Sequence, residues 1–139
     1  MSRRTKPKCL LDITLAMPLP PGPNGRGGLL RAHWGRTYAV KKRVLAKLEE
    51  ALADMKPSKY QLGSQPVEIV YTRHRRAGGP MDFENALLST KLVTDMLVKV
   101  GVLDADDLSV VTLVKVNQER DYHQPTRLRI QIFRAVPPS

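Results

Sequence analysis

The segment from Pro80 to Asp107 constrains the fold most, because it contains a helix that is apolar on nearly every side. This central helix is predicted to run from Glu84 or Asn85 to Val100, and Gly101 is placed to end it in a left-handed cap. Its core stripe is expected to comprise Ala86, Val93, Met96, Leu97 and Val100. Further apolar residues flank the polar face, so the helix needs cover from its own sheet and from another element or subunit.

The same segment is an acidic island in a basic chain. It contains six of the thirteen acidic residues and two lysines, a net charge of −4, whereas the rest of the chain carries +14. Carboxylates bind divalent metal and surrounding cations bind phosphate, so this contrast predicts an enzyme that cleaves a polyanion. The alternative is that the basic charge serves only solubility.

The pattern of elements predicts one α+β domain over residues 1–139, with a mixed sheet of about four strands and two main helices. Apolar alternation predicts strands at 9–16, 66–73, 110–116 and 127–135. The last two strands are expected to form an antiparallel pair. A polar connector at 117–126 joins them.

An amphipathic helix is predicted at 38–55, and Pro57 is expected to end it. The remaining segments are interpreted as a basic arm at 1–8, a Pro/Gly-rich loop at 17–36 and a short tail at 137–139. The loop is basic and is followed by an aromatic side chain at Tyr38. We expect the loop to contact a phosphate backbone and to stack on an exposed base through Trp34 or Tyr38, although Trp34 would equally fold onto the core.

Cysteine usage and the N-terminal sequence limit the class of protein. Cys9 is the only cysteine, which excludes an intrachain disulfide and argues against a cysteine-based zinc site. The basic start is followed by Asp12 and Pro18, which does not fit a signal peptide, and no apolar run approaches the roughly 18 residues of a membrane span. We therefore expect a cytoplasmic protein.

Arginines are concentrated immediately before the acidic island. Arg73, Arg75 and Arg76 precede two glycines and Asp82. A guanidinium group donates two hydrogen bonds to a phosphate at once, so these arginines are predicted to bind a nucleic-acid backbone. His74 is assigned to the same contact, since no second histidine lies at metal-ligand spacing.

Helical spacing places charged side chains on one face of the central helix. Lys91 and Asp95 fall close to the direction of Glu84 at about 100° per residue, and Asp82 precedes the first turn, where the helix dipole favours a carboxylate. The loop after the helix is expected to return a further carboxylate to this face, from Asp104, Asp106 or Asp107. The alternative is a solvated face of salt bridges, since Lys91 and Asp95 are four residues apart.

These residues, in this order, resemble the signature of the RusA family of Holliday-junction resolvases, which is common in phages and prophages. The matching set is Asp82-Phe83-Glu84-Asn85, Lys91, Asp95, Gly101 and Asp106-Asp107. Two further stretches are similar to that family, Pro20-Pro21-Gly22-Pro23-Asn24 and Gly35-Arg36-Thr37-Tyr38. The chain departs from the family pattern in having Glu84 where Asp is usual and in a longer spacing from Asn85 to Lys91.

The resemblance implies a RusA-like fold, a homodimer, and resolution of Holliday junctions by metal-dependent phosphodiester hydrolysis in a bacterium or a phage-infected cell. The implied metal is Mg²⁺ or Mn²⁺, which carboxylate oxygens suit. The implied metal ligands are Asp82, Glu84 and Asp107, with Asp106 as an alternative to Asp107. Lys91 is the implied catalytic cation. The predicted DNA contacts are Arg73, Arg75, Arg76, Asn24, Arg36 and Asn85.

Two other interpretations use the same residues. A non-catalytic basic protein would bind DNA or RNA, with its acidic residues serving as helix caps and salt bridges. A calcium loop at Asp104-Ala105-Asp106-Asp107 lacks the glycine and the distant glutamate of an EF-hand.

Overall fold

Four strands and three helices make up the part of the chain that the computed structural model describes, residues 7–21, 34–77 and 79–135. In chain order they are β1 (Cys9–Leu15), α1 (Trp34–Leu52), α2 (Pro57–Tyr60), β2 (Val67–Arg75), α3 (Phe83–Lys99), β3 (Val111–Arg120) and β4 (Arg127–Arg134). The predicted single α+β domain, with a mixed four-stranded sheet and two main helices, is confirmed. No helix within the described ranges is long and apolar enough to cross a membrane.

The strands are ordered β1-β4-β2-β3 across the sheet. β4 runs antiparallel to β1 and to β2, whereas β2 and β3 are parallel and are joined by α3. The predicted antiparallel pairing of the last two strands is therefore wrong, because β2 lies between them. Alternation of apolar residues determines which face of a strand is buried, but it does not determine which strand pairs with it.

Three predicted boundaries also change. α1 begins at Trp34, so Arg36 is helical and does not belong to the loop. Pro57 opens α2, where its missing N–H would have no partner anyway, and α1 has already ended at Leu52. β3 continues through the first part of the predicted connector to Arg120, because its backbone ladder with β2 persists where the side chains become polar.

One face of the sheet is buried under α1 and α3. Its apolar side chains form a single cluster with those of the two helices, including Ile69, Tyr71, Ile130, Ile132, Val44, Leu48, Val93 and Leu97. The opposite face is polar. There Arg129 donates two hydrogen bonds to Asp12, at 2.9 and 2.6 Å, and this contact lowers the pKa of Asp12.

Gly101 terminates α3 in a left-handed cap, as the sequence predicts. Gly101 has a φ of +92°, which side chains with a Cβ rarely adopt. The N–H of Val102 donates to the carbonyl oxygen of Leu97 at 3.0 Å, and that of Gly101 donates to Val98 at 3.1 Å. This pair of bonds is the Schellman arrangement, which satisfies carbonyl groups at the end of a helix and turns the chain back toward the sheet.

Tyr71 joins the sheet to α3 through a buried hydrogen bond. Its hydroxyl oxygen lies 2.6 Å from Oγ1 of Thr94. Because Thr94 donates its own proton to the carbonyl oxygen of Thr90 at 2.9 Å, the Tyr71 hydroxyl is the donor to Thr94. Burial raises the pKa of Tyr71, so the phenol is neutral at physiological pH. This bond fixes α3 on the sheet one residue before Asp95.

Replacing Tyr71 by Phe should lower the free energy of unfolding by about 1 kcal/mol, because one buried hydrogen bond is removed while the ring packing is kept. Thr94→Val should have a similar effect. The double variant should be destabilised by less than the sum of the two, since neither hydroxyl is then left without its partner. Urea unfolding measures all three, and strictly additive effects would contradict a coupled pair.

Candidate active site

Gln118 of β3 ties the start of α3 to the end of β2. Its side-chain oxygen accepts a hydrogen bond from the Met81 N–H at 2.9 Å, and its amide donates to the Met81 carbonyl oxygen at 2.7 Å. The same oxygen accepts a hydrogen bond from the Arg73 guanidinium at 3.0 Å. Three separate segments therefore meet at this side chain, immediately before Asp82.

Asp82 is the N-cap of α3. Its backbone is extended, and its Oδ1 atom accepts hydrogen bonds from the N–H groups of Glu84 at 3.0 Å and Asn85 at 3.5 Å. A carboxylate suits this position, because it satisfies free N–H groups and lies at the positive end of the helix dipole. Glu84 is exposed in the first turn, and Asn85 is half-buried beside it.

A second group of charges lies farther along α3. The Lys91 ammonium is 3.7 Å from a carboxylate oxygen of Asp106. Burial raises the pKa of Asp95, and its hydrogen bond with Asp106 raises it further, while Lys91 and Lys41 oppose the shift. The loop after Gly101 thus returns to the polar face of α3, as expected, and does so through Asp106.

Asp107 faces a different neighbour from Asp106. Its carboxylate accepts hydrogen bonds from the side chain of Ser109 and from the Ser109 N–H, the latter at 2.9 Å. These bonds, the side-chain bond first, lower the pKa of Asp107. Asp107 therefore caps the turn that leads into β3.

The donor groups fit Mg²⁺ in kind, since the exposed carboxylates of Asp82, Glu84, Asp106 and Asp107 offer hard oxygen ligands. The contact between Asp95 and Asp106 also concentrates negative charge that a cation would neutralise. However, in residues 7–21, 34–77 and 79–135, no three His, Cys, Asp or Glu side chains are grouped closely enough to hold a metal ion. The assignment of the metal ligands stays a prediction.

Arginines surround the end of the sheet next to the start of α3. The parallel register pairs Arg75 with Arg120, and the antiparallel register pairs His74 with Arg127. Burial lowers the pKa of Arg73, and the positive charge of Arg75 lowers it further. Guanidinium groups crowded in this way favour an anion between them.

The other predicted DNA contacts are placed as follows. Arg76 is exposed just after β2, where its N–H donates to the Thr126 hydroxyl at 3.1 Å. Arg36 is exposed in the first turn of α1, and Asn24 lies outside the described residues. His74 is largely buried, and its Nδ1 atom is 3.4 Å from a carboxylate oxygen of Glu119, so an acid lies within ion-pair distance.

The sequence-based predictions missed the residues that β3 and the following turn contribute to this end of the sheet. Gln118, Arg120 and Tyr122 all lie in the segment predicted as a polar connector, at 117–126. The alternation of Val114 and Val116 continues to Gln118, which is the signal that would have extended the strand.

A groove of about 440 Å³ lies between α3 and β3. Its walls are mainly apolar and include Leu87, Leu88, Val111, Leu113 and Val114. Lys91 and Asp106 also line it. The groove therefore adjoins the charged group on α3 and the outer edge of β3, the last strand of the sheet.

Comparison with protein families and with curated proteins gives no closer identification. No protein-family model matches the chain, and no curated protein matches it at a significant level. The resemblance of residues 82–107 to a resolvase family stays a prediction that rests on the residues themselves.

Gln118→Met should raise the amide exchange rate of Met81 roughly tenfold, because methionine keeps the side-chain volume and removes both hydrogen bonds to Met81. Hydrogen exchange followed by NMR measures this. Gln131→Met is the matched control, since Gln131 lies on the polar face of the sheet and bonds Asp12. Unchanged exchange at Met81 would show that Gln118 does not hold the start of α3.

Proposed function

We propose that the chain is a divalent-metal-dependent endonuclease of the RusA family, which cleaves branched DNA and resolves Holliday junctions. The observation that carries the proposal is the meeting of opposite charges at one end of the sheet. Gln118 bonds both Arg73 and the residue before Asp82, so the arginines of β2 adjoin the acidic start of α3. A phosphodiester needs cations for its phosphates and carboxylates for the metal that assists its hydrolysis.

The proposed roles are those that the family resemblance implies. Asp82, Glu84 and Asp107 would hold Mg²⁺ or Mn²⁺, with Asp106 as an alternative to Asp107. Asp82 and Glu84 follow the end of β2, whereas Asp106 and Asp107 precede the start of β3, which pairs with the start of β2, so the two pairs of acids lie toward opposite ends of these parallel strands. When bound, the metal supplies an activated water and neutralises charge as water adds to phosphorus and one P–O ester bond breaks. Lys91 has a side chain that is 71% exposed and would approach the phosphate or orient the attacking water. The residues that would bind the DNA are Arg73, Arg75, Arg76, Asn24, Arg36 and Asn85.

A homodimer is part of the proposal, because a two-fold axis would present two sites to the opposed strands of a four-way junction. The exposed apolar surface beside the outer edge of β3 supports a homodimer. Leu88 and Leu113 are 45% and 53% exposed, and the 440 Å³ apolar groove is lined by both. A second copy seated there would cover this surface and the strand edge. The expected consequence is paired cutting of opposed strands within one junction.

The alternative function is a non-catalytic protein that binds DNA or RNA. One observation favours it: the carboxylates of Asp82 and Asp107 both cap their own segments of the chain. Capping alone would account for acids at these two positions. The two functions differ in whether metal-dependent cutting occurs.

Asp82→Asn should reduce Mg²⁺-dependent cutting of a four-way junction on the order of 100-fold. Asparagine caps a helix about as well as aspartate, so α3 should remain folded and the junction should still bind. Asp54→Asn is the control, since Asp54 is an exposed carboxylate in the turn after α1. Cutting is measured with labelled junctions on denaturing gels. Undiminished cutting by Asp82→Asn would remove Asp82 from the metal site.

Replacing both Arg75 and Arg76 by Ala should weaken junction binding and flatten its dependence on salt. The logarithmic slope should become shallower by about 0.9 for each phosphate that the variant no longer binds. Fluorescence anisotropy over a salt series measures this slope. Lys56 and Lys59 are exposed and precede the start of β2, whereas the two arginines lie at its end. Replacing both lysines by Ala provides the control. An unchanged slope in the arginine variant would exclude the two arginines as phosphate ligands.

A further inference from the structure

Tyr122 presents an exposed aromatic ring at the arginine-rich end of the sheet. It lies two residues after the end of β3 and is 60% exposed. The guanidinium carbon of Arg120 is 4.4 Å from the centre of its ring, which is a cation–π contact on one face. Because the residue is 60% exposed, part of its surface remains available to a planar ligand beside this contact.

The turn that carries Tyr122 is fixed by Asp121. The Asp121 N–H donates to the carbonyl oxygen of Arg75 at 2.9 Å. Its carboxylate accepts hydrogen bonds from the His123 N–H at 2.9 Å and from Arg127 at 3.0 Å, and these bonds lower the pKa of Asp121. The turn is thus bound to β2 and β4 as well as to β3. A ring held in this way gives up little conformational freedom when a ligand stacks on it.

The charge around Tyr122 favours a polyanion. The end of β2 with the residue after it, the end of β3 with the turn after it, and the first residue of β4 together contain five arginines and two acids, a net charge of +3. The two acids already have basic neighbours within the protein, Glu119 beside His74 and Asp121 beside Arg127. The arginines are Arg73, Arg75, Arg76, Arg120 and Arg127.

We propose that Tyr122, supported by Arg120, stacks on an unpaired base at the branch point of the DNA, while the neighbouring arginines bind the backbone on either side. This inference rests on the proposed function and names a nucleotide contact of the same site. Bases inside a duplex are stacked on both faces, so an aromatic side chain finds a free base where the strands separate. Because every base offers such a face, the contact recognises the open branch and is insensitive to sequence.

The test uses a four-way junction with 2-aminopurine either at the branch point or within one arm, with Ca²⁺ in place of Mg²⁺. Wild-type protein should change the fluorescence of the branch-point probe and leave the arm probe unchanged. Tyr122→Ala should abolish that change and weaken junction binding roughly tenfold. Tyr122→Phe keeps the ring and should behave as wild type. Tyr38→Ala removes the other highly exposed tyrosine, on α1, which is 62% exposed. This variant tests whether Tyr38, and not Tyr122, gives the signal.

Three results would overturn the inference: wild-type behaviour of Tyr122→Ala, disappearance of the signal in Tyr122→Phe as well, or disappearance of the signal in Tyr38→Ala instead. Each would leave the proposed function standing, provided that the wild-type protein still cuts the junction in Mg²⁺. A wild-type protein that binds no junction would remove both the inference and the proposed function.

Discussion

The parallel pairing of β2 with β3 is the constraint on which the rest of the structure depends. Parallel neighbours require a crossover, so α3 must run back along the sheet and its N-terminus must begin near the end of β2. The Tyr71–Thr94 bond fixes the middle of that helix, and Gln118 fixes its start. An arginine-rich strand end and a carboxylate-rich helix start are thereby held next to each other.

Like charges repel one another among the arginines and also among the carboxylates. Burial and Arg75 lower the pKa of Arg73, whereas burial and Asp106 raise the pKa of Asp95. In both places the protein holds like charges in partly buried positions, which would favour a ligand of the opposite sign. A phosphodiester would relieve the arginines and a divalent cation would relieve the carboxylates. DNA with its metal ion carries both kinds of charge, which supports the nuclease proposal, although Asp95 and Asp106 lie farther along α3 than the arginines.

The sequence predicted the features that depend on local periodicity and missed those that depend on distant pairing. The core face of α3 follows from spacing alone, and Ala86, Val93 and Leu97 are fully buried. The strands that pair with β4 cannot be deduced from spacing, because the alternation of apolar and polar residues in β4 suits any partner strand. Gln118 acquires its role through a residue 37 positions away. For Asp82, the pattern cannot separate a helix cap from a metal ligand, since both need an exposed carboxylate just before the first turn.

Cutting of a synthetic four-way junction, compared with a linear duplex of the same sequence, tests the nuclease proposal most directly. With Mg²⁺, we predict paired nicks on opposed strands of the junction, no cutting of the duplex, and no cutting of either DNA when EDTA replaces the metal. Tight binding of the junction without cutting, in Mg²⁺ and in Mn²⁺, would contradict the proposal. The acids at the start of α3 would then be caps, and the protein would be a non-catalytic nucleic-acid-binding protein.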